Sequence, residues 1–299
     1  STIPYITFTA DEEQTFKYND YNFQVNTGLA PDANKYLEYS VNGGKWTNFN
    51  KVQSVSFGGG NGDLRLRAKV DQGKYLVSDA GPMFKFGNET VEVNCTGDIR
   101  TLIDYENYYC ANTSKAMFKN FFNSMTNLTS APYLPSMELA SQCYYAMFKG
   151  CTGLTTAPEL PATTLAVNCY YEMFYGCTGL TTAPKLPATT LDTFCYREMF
   201  YGCTSLTTAP ELPATTLAMG CYDKMFYDCS NLSKVTMLAT KYSANWCLDN
   251  WLDNAGTSAQ SRTLKLASQM VYNGIKKEGY LPTQWQSGQG QATIEYNNQ

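Results

Sequence analysis

The sequence predicts an α+β protein in which an N-terminal all-β, immunoglobulin-like sandwich precedes a repeat solenoid with short helices. Three observations lead to this class. Apolar and polar residues alternate through the first 88 residues, a 26-residue unit repeats through the second half, and apolar residues recur at helical spacing inside that unit. The predicted domains are a sandwich over residues 1–88 and a solenoid with N- and C-terminal caps over residues 89–299.

The N-terminal prediction rests on short strands separated by turn residues. Segments with period-two alternation and many aromatic or β-branched residues lie at 5–10, 21–26 and 64–68. A looser strand at 36–41 leads into Asn42-Gly43-Gly44 and then into residues 45–49, which is typical of a β-hairpin. Several short strands at this spacing favour a small sandwich.

The repeat is nearly identical from copy to copy. The segment at 154–165 returns at 180–191 with one Glu-to-Lys change, and it returns again at 206–217. Cysteines keep the 26-residue step in two series, at 143, 169, 195, 221 and 247 and at 151, 177, 203 and 229. Such self-similarity predicts stacked coils, in which each unit buries its apolar face only against its neighbours.

Each unit is predicted to contain a short helix followed by an extended segment. Cys143, Met147, Cys151 and Leu154 fall at i, i+4, i+8 and i+11, which is a helical apolar stripe. The residues after Leu154 are short and extended, and two prolines limit their pairing. Helices need more room side by side than paired strands do, so the array is expected to curve.

The unit resembles the BspA-like leucine-rich repeats of bacterial surface proteins. The resemblance is carried by a Met-Phe-x-x-Cys-x-x-Leu core at 147–156, 173–182 and 199–208, and more weakly at 225–232. It covers residues 117–255 and does not reach the first 88. The chain departs from the family pattern by placing Ala-Pro-x-Leu-Pro where a plainer leucine-rich strand would lie.

This resemblance implies a fold and a class of function. It implies a leucine-rich-repeat solenoid on a secreted or outer cell-surface protein that is often lipid-anchored in its full-length precursor. The implied role is adhesion, with a host or matrix protein or a glycan as partner. No signal peptide is visible, which is typical either of a cytoplasmic protein or of a mature chain whose targeting segment has been removed.

Composition narrows the chemistry. The chain has no histidine, which excludes Ser-His-Asp and Cys-His nucleophilic sites and His-ligated zinc. A net charge of −4 without a basic stripe argues against a nucleic-acid partner. No apolar run reaches the roughly 18 residues that span a bilayer. We therefore expect a non-enzymatic protein without a cofactor or metal site. A hydrolase with paired carboxylates is a weaker alternative, because no two acidic positions recur together.

The eleven cysteines allow two interpretations. The odd count favours buried thiols, and so does the spacing, because i and i+8 lie about 12 Å apart on a helix. Disulfides are the alternative, since Met117 and Met125 replace both series together, as the loss of bridged partners would.

Positions that vary between units are the candidates for recognition. Tyr145, Tyr171, Arg197 and Asp223 share one position of the unit, and Glu172 and Glu198 belong to the next. The functional interpretation is that these six residues bind a ligand, and the simpler one is a solvated face. The constant tyrosines at 144, 170, 196 and 222 are expected to fill the surface between units with their hydroxyl groups in solvent. The predicted function is non-catalytic binding on the cell surface, and the alternative is a passive structural spacer or stalk.

Overall fold

The computed structural model describes residues 3–19, 36–50, 53–70, 81–82 and 84–297. Eight of the strands described here lie in the first 96 residues, and they are followed by β9 at Leu128–Ser130. Their bounds are β1 Ile6–Thr9, β2 Gln14–Tyr18, β3 Leu37–Val41, β4 Thr47–Asn48, β5 Ser54–Phe57, β6 Leu64–Ala68, β7 Phe84–Phe86 and β8 Val93–Thr96. They form a six-stranded sheet in the order β4-β3-β6-β1-β8-β9 and a three-stranded sheet in the order β5-β2-β7.

The alternation in the sequence places one face of each sheet in the core. Ile6 and Phe8 on β1 are fully buried, and β6 alternates buried and half-buried residues along its whole length. Phe16 on β2 stacks on Phe84 at 5.0 Å between ring centroids, and Phe8 meets Phe16 at 5.9 Å, so aromatic rings join the two sheets. Burial of these rings stabilises the packing of the two sheets against each other.

The predicted hairpin at residues 36–49 is confirmed. β3 and β4 pair antiparallel, with Glu38 opposite Asn48 and Tyr39 opposite Thr47. The turn between them uses Asn42 and Gly43 at positive φ, the backbone region that these two residue types tolerate best. The predicted strand at 21–26 lies outside the described residues.

The first sheet continues past residue 88. β8 pairs antiparallel with β1 and parallel with β9, which lies within the first repeat-like segment. Phe8 of β1 also meets Phe122 of that segment at 6.3 Å. The predicted domain boundary at residue 88 stays a prediction.

The repeat units consist of turns and short extended segments. From residue 142 to residue 151, alternate N–H groups donate three residues back within the unit, as Tyr145 does to Gln142. The intervening N–H groups donate to the next unit, as Tyr144 does to Cys169 at 3.1 Å. Every fourth residue has positive φ, namely Gln142, Ala146 and Gly150, and the same pattern recurs 26 residues later. We call this segment the turn ribbon.

The predicted fold class is therefore wrong. The protein is mainly sheet and turn, and the predicted short helices of a leucine-rich-repeat solenoid are absent from the repeat units, all of which lie in the described part of the chain. The only α-helix with described bounds is α1, Gln269–Lys277, beyond the repeats. The turn ribbon has a period of four residues, which is close enough to 3.6 that Cys143, Met147 and Cys151 are buried together in either structure.

Stacked aromatic rings run through the interior from unit to unit. The phenylalanine ladder consists of Phe122, Phe148, Phe174, Phe200 and Phe226, with centroid spacings of 5.2 to 5.7 Å. A second ladder stacks the rings of Phe118, Tyr144, Tyr170, Tyr196 and Tyr222. The prediction that these tyrosine hydroxyls lie in solvent is wrong, because the four tyrosines are at most 2% exposed.

Ten of the eleven cysteines are buried and all eleven are free thiols, so the thiol interpretation is the one this structure shows. Each thiol of one series donates to a backbone carbonyl of the preceding unit. Cys177 Sγ lies 3.0 Å from the carbonyl oxygen of Phe148, and Cys203 Sγ lies 3.2 Å from that of Phe174. Met117 and Met125, which are also buried, fill the same two positions in the first unit. The positions therefore take any compact side chain of low polarity.

Thiol counting checks this assignment. We expect a chromogenic disulfide reagent to react with about one thiol in the native protein, Cys110, because it is the one exposed cysteine. The unfolded protein should give all eleven. Prior treatment with a reductant should leave both counts unchanged. A count in the unfolded protein that rises only after reduction would show that bridges exist.

The chain after the repeats forms a small parallel sheet and a helix. β10 Lys234–Met237, β11 Arg262–Leu266 and β12 Ala292–Tyr296 pair in that order, and α1 packs beside β11. Ser268 caps α1 by accepting from the Val271 N–H. Within the described residues, no helix combines the length and apolar character needed to cross a bilayer.

Candidate functional site

The row predicted from variable positions is continuous in the structure. Tyr145 and Tyr171 stack at 4.7 Å with only 4° between their rings, and the Arg197 guanidinium lies 5.3 Å from the Tyr171 centroid. The ammonium of Lys119 lies 4.9 Å from the Tyr145 ring, so a cation bounds the tyrosine pair at each end. The row forms because the turn ribbons of successive units stack directly on each other. Side chains at the same position of each unit therefore lie next to each other.

The charged side chains of the row are paired with each other and are not free in solvent, as they would be on a mixed-charge surface. Arg197 Nε lies 2.9 Å from Asp223 Oδ2 and 3.4 Å from Glu198 Oε1, and Asp223 is buried. Burial raises the pKa of the Asp223 carboxyl, and the Arg197 charge opposes that rise. Arg197 and Asp223 therefore neutralise each other within the protein.

The two glutamates of the adjacent position are also engaged. Glu172 Oε2 accepts from Lys149 Nζ at 2.8 Å. Glu198 is half-buried, and its pKa is raised, first by burial and then by the nearby Glu172 carboxylate. The structure thus brings all six predicted residues onto one face, where they mainly contact each other.

A second row, of half-buried tyrosines, runs beside the first. Tyr175, Tyr201 and Tyr227 stack at 4.5 and 4.8 Å, and Lys149 Nζ lies 4.4 Å from the Tyr175 centroid. The faces of the inner rings in both rows are covered by neighbours. These rows consequently offer mainly ring edges and hydroxyl groups to a ligand.

An open cleft of about 730 Å³ lies where the first row ends. Asp249, which occupies the position of Tyr145 and Asp223 in the last unit, lines it, and so does the neighbouring side chain of Trp246. Apart from Ala244, its remaining lining residues are polar or aromatic, and they come from both sides of β11 in the chain: Thr240, Lys241, Tyr242, Ser243, Asn245, Glu278 and Tyr280. This volume is within the range of small-ligand sites.

Trp246 has an aromatic partner on one side. Its ring is stacked 6.3 Å from that of Phe194, two units earlier, at an interplanar angle of 16°. The intervening unit has Gly220 at this position, and a Cβ atom there would collide with the Phe194 ring. Trp246 is 53% exposed and is the last residue of this position in the repeat, so it presents an aromatic surface to the cleft.

The cleft has more carboxylates than ammonium groups. Asp249 and Glu278 face it with Lys241, and the amide of Asn245 adds a donor and an acceptor. Burial raises the pKa of the Tyr280 phenol, and the charges of Cys247, Asp249 and Glu278 raise it further. The phenol therefore stays a hydrogen-bond donor at neutral pH, close to both carboxylates.

Sequence reasoning missed the cleft. Trp246, Glu278 and Tyr280 were outside the predicted set, although the row that was predicted leads to Asp249 at its edge. One signal was present in the sequence. The position of Trp246 holds Gln142, Asn168, Phe194 and Gly220 in the preceding units. Side-chain size varies more at this position than at the variable positions of Tyr145 and Glu172.

Comparison with known proteins gives no match to any family model, curated protein or solved structure. The resemblance to BspA-like repeats therefore stays a prediction. Function has to be argued from the geometry of the site.

The cleft is suited to binding a ligand rich in hydroxyl groups. Carboxylates, amide groups and a phenol provide acceptors and donors, and an exposed indole provides an apolar plane. The described residues contain no group of three or more His, Cys, Asp or Glu side chains placed to hold a metal ion.

Proposed function

We propose that this chain is a non-catalytic carbohydrate-binding protein of the cell surface, which holds a neutral glycan in the Trp246 cleft. The observation that carries the proposal is a half-exposed tryptophan at the edge of an open cleft with Asp249 and Glu278. The C–H face of a sugar ring packs against an aromatic plane, and its hydroxyl groups donate to carboxylates. Adhesion through a glycan and display outside the cell belong to the same proposal, with the resemblance to BspA-like repeats as their support.

Charge narrows the ligand class. Two carboxylates and one ammonium line the cleft, so a phosphorylated, sulfated or sialylated ligand would meet net repulsion. A neutral hexose chain carries only hydroxyl groups and suits this balance. The rows at Tyr145–Tyr171 and Tyr175–Tyr227 contribute less, because most of their ring faces are covered by neighbouring rings or cations.

A glycan array with a Trp246→Ala variant tests the proposal. We expect the wild-type protein to bind neutral glycans saturably and Trp246→Ala to lose at least about tenfold in affinity, since an aromatic anchor is worth roughly 2 kcal/mol. Trp246→Phe should retain part of the affinity, because it keeps an aromatic plane. The intrinsic fluorescence of Trp246 should change on binding, and this signal should be missing in Trp246→Ala.

Tyr145→Ala is the matched control, because it removes an outer aromatic ring of the first predicted row. If Tyr145→Ala loses binding and Trp246→Ala keeps it, the ligand lies on the row and the cleft proposal is wrong. If the wild-type protein binds neither glycans nor host and matrix proteins, the passive spacer becomes the better interpretation.

A further inference from the structure

The repeat position that ends in Trp246 holds a glycine one unit earlier, Gly220, whose φ is 57°. This positive φ does not by itself require glycine. Asn168, Phe194 and Trp246 occupy the same position in their units with φ of 56°, 54° and 58°. The turn ribbon therefore holds large side chains in this conformation elsewhere, and the missing side chain at residue 220 has another cause.

The space beside Gly220 is occupied by the ring of Phe194. A Cβ atom at residue 220 would lie 2.1 Å from both Cδ1 and Cε1 of that ring, which is far inside van der Waals contact. Rings one unit apart in the phenylalanine ladder lie 5.2 to 5.7 Å from each other. Phe194 and Trp246 are two units apart, and yet their centroids are only 6.3 Å from each other. The gap at Gly220 thus lets two rings meet across the unit between them.

The two stacked rings differ in how firmly their surroundings hold them. Phe194 is half-buried, and the Arg197 guanidinium lies 5.3 Å from its centroid. Trp246 is 53% exposed at the edge of the cleft. An exposed indole without a neighbour samples several rotamers, and immobilising it when a ligand binds lowers the affinity. A parallel ring against one face of the indole removes part of this cost before the ligand arrives.

We propose that Phe194 is a positioning residue. Together with the gap at Gly220, it fixes the Trp246 indole with one face against the Phe194 ring and the other face open to the cleft. The consequence for binding rests on the proposed glycan function, because a sugar ring then finds a prepared plane and stacks on that open face. Phe194 does not line the cleft, so it acts through Trp246 and does not touch the glycan.

Fluorine NMR measures the orientation of the indole without any ligand, in the complete chain with 5-fluorotryptophan at its four tryptophan positions. The resonance that disappears in Trp246→Phe belongs to Trp246. We expect Phe194→Ala to shift this resonance, because the stacked ring is lost, and to narrow it, because the freed indole moves independently of the protein. Phe194→Tyr keeps the ring and should retain the wild-type signal. Gln142→Ala is the matched control, since it truncates the same position four units away from Trp246.

A second set of variants tests the gap itself. Gly220→Ala should change the Trp246 resonance as Phe194→Ala does, because its methyl group displaces the Phe194 ring. Adding Gly220→Ala to Phe194→Ala should change nothing further, since no ring remains to be displaced. Gly176→Ala is the control, because it also adds a methyl group at positive φ, but at a place where nothing lies within 4 Å.

Calorimetric titration with neutral glucose, mannose and galactose hexasaccharides measures the consequence for binding. We expect Phe194→Ala and Gly220→Ala each to weaken the affinity about two- to tenfold, the range that corresponds to immobilising one side chain. Phe194→Tyr should bind as the wild-type protein does.

The outcomes separate the positioning role from the glycan function. A Trp246 resonance that Phe194→Ala neither shifts nor narrows would overturn the positioning role. Wild-type affinity in both weakened variants, despite a changed resonance, would overturn its importance for binding. If the resonance changes as expected but the wild-type protein binds none of these sugars, the contact is supported and the proposed glycan function is wrong.

Discussion

The protein is expected to lose its folded structure steeply as the pH rises above about 8.5, the ordinary pKa of a cysteine thiol. Ten of its cysteines are buried, and burial raises their pKa values. The pKa is raised to about 12 for Cys169, Cys177 and Cys221 and to about 11 for Cys247. Between these limits, the thiols of the unfolded chain ionise and those of the folded chain do not.

The sign and size of the effect follow from proton linkage. A group whose pKa is raised by folding stabilises the folded state below its unfolded pKa, and this stability is lost as the pH rises toward the folded pKa. Each thiol lowers the free energy of unfolding by about 1.4 kcal/mol per pH unit in this window. Ten thiols together exceed about 10 kcal/mol per unit, which is comparable to the whole stability of a typical protein. Unfolding is therefore expected within about one or two units above pH 8.5.

Thermal unfolding midpoints between pH 7 and pH 9.5, with a reductant present, measure this dependence. The window stops below the ordinary pKa values of tyrosine and lysine, so thiols dominate. A variant with Cys151→Ala, Cys177→Ala and Cys203→Ala should show a shallower slope, whatever its stability at pH 7. Alanine already stands at this position in the last unit, as the fully buried Ala255. A midpoint that does not change between pH 8 and pH 9.5 would mean that the thiols are bridged or already ionised.

The N-terminal strands and the hairpin turn could be predicted because the alternation of apolar residues and the turn residues indicate the same elements. Period-two alternation placed β1 and β6 correctly, and Asn42-Gly43 placed the hairpin turn. The pairing of β8 with β1 joins residues about 85 positions apart in the chain. No local pattern specifies such a pairing, so the sequence could not show which strands share a sheet.

The repeat units failed as predicted helices for a specific physical reason. A helix has 3.6 residues per turn, so a stripe at i, i+4 and i+8 drifts around its axis. The buried pairs 143–144 and 147–148 and the following Cys151 instead recur every four residues, without drift. Residues with positive φ, such as Ala146, Glu172 and Glu198, carry Cβ atoms and give no glycine signal in the sequence. Hydrogen bonds and ring stacking between neighbouring units stabilise this backbone. The sequence of a single unit therefore does not reveal it.

The site was only partly within reach of the sequence. The 26-residue period correctly grouped Tyr145, Tyr171, Arg197 and Asp223 into one row. It could not show that Arg197 and Asp223 neutralise each other, because pairing depends on how closely the units stack. Glu278 and Tyr280 follow α1, outside the repeat, and only the folded chain brings them to Trp246.

Replacing Phe174 with alanine is expected to lower the free energy of unfolding by about 3–5 kcal/mol. Its ring is fully buried at the centre of the phenylalanine ladder and stacks 5.6 Å from both Phe148 and Phe200. The substitution removes both stacking contacts and leaves a cavity that the bonded turn ribbons cannot close. Urea unfolding followed by circular dichroism measures the loss. Phe174→Leu should lose less, because it fills most of the volume.

Tyr201→Ala is the matched control, since Tyr201 stacks between Tyr175 and Tyr227 at even shorter spacings but on the outer face. Its loss should be about 1 kcal/mol, because a half-exposed ring gives up little burial. Equal losses for the two variants would show that ring stacking stabilises the units more than burial does.

The phenylalanine ladder also predicts which pairs of substitutions interact. Phe174 and Phe200 are in contact, so the double alanine variant should deviate from additivity by about 0.5–1.5 kcal/mol. Phe148 and Phe200 are separated by Phe174 and do not touch each other, so their effects should add. Coupling that reaches Phe148 and Phe200 would mean that stability is shared along the whole stack. Coupling restricted to adjacent rings would mean that each unit is stabilised by its immediate neighbours alone.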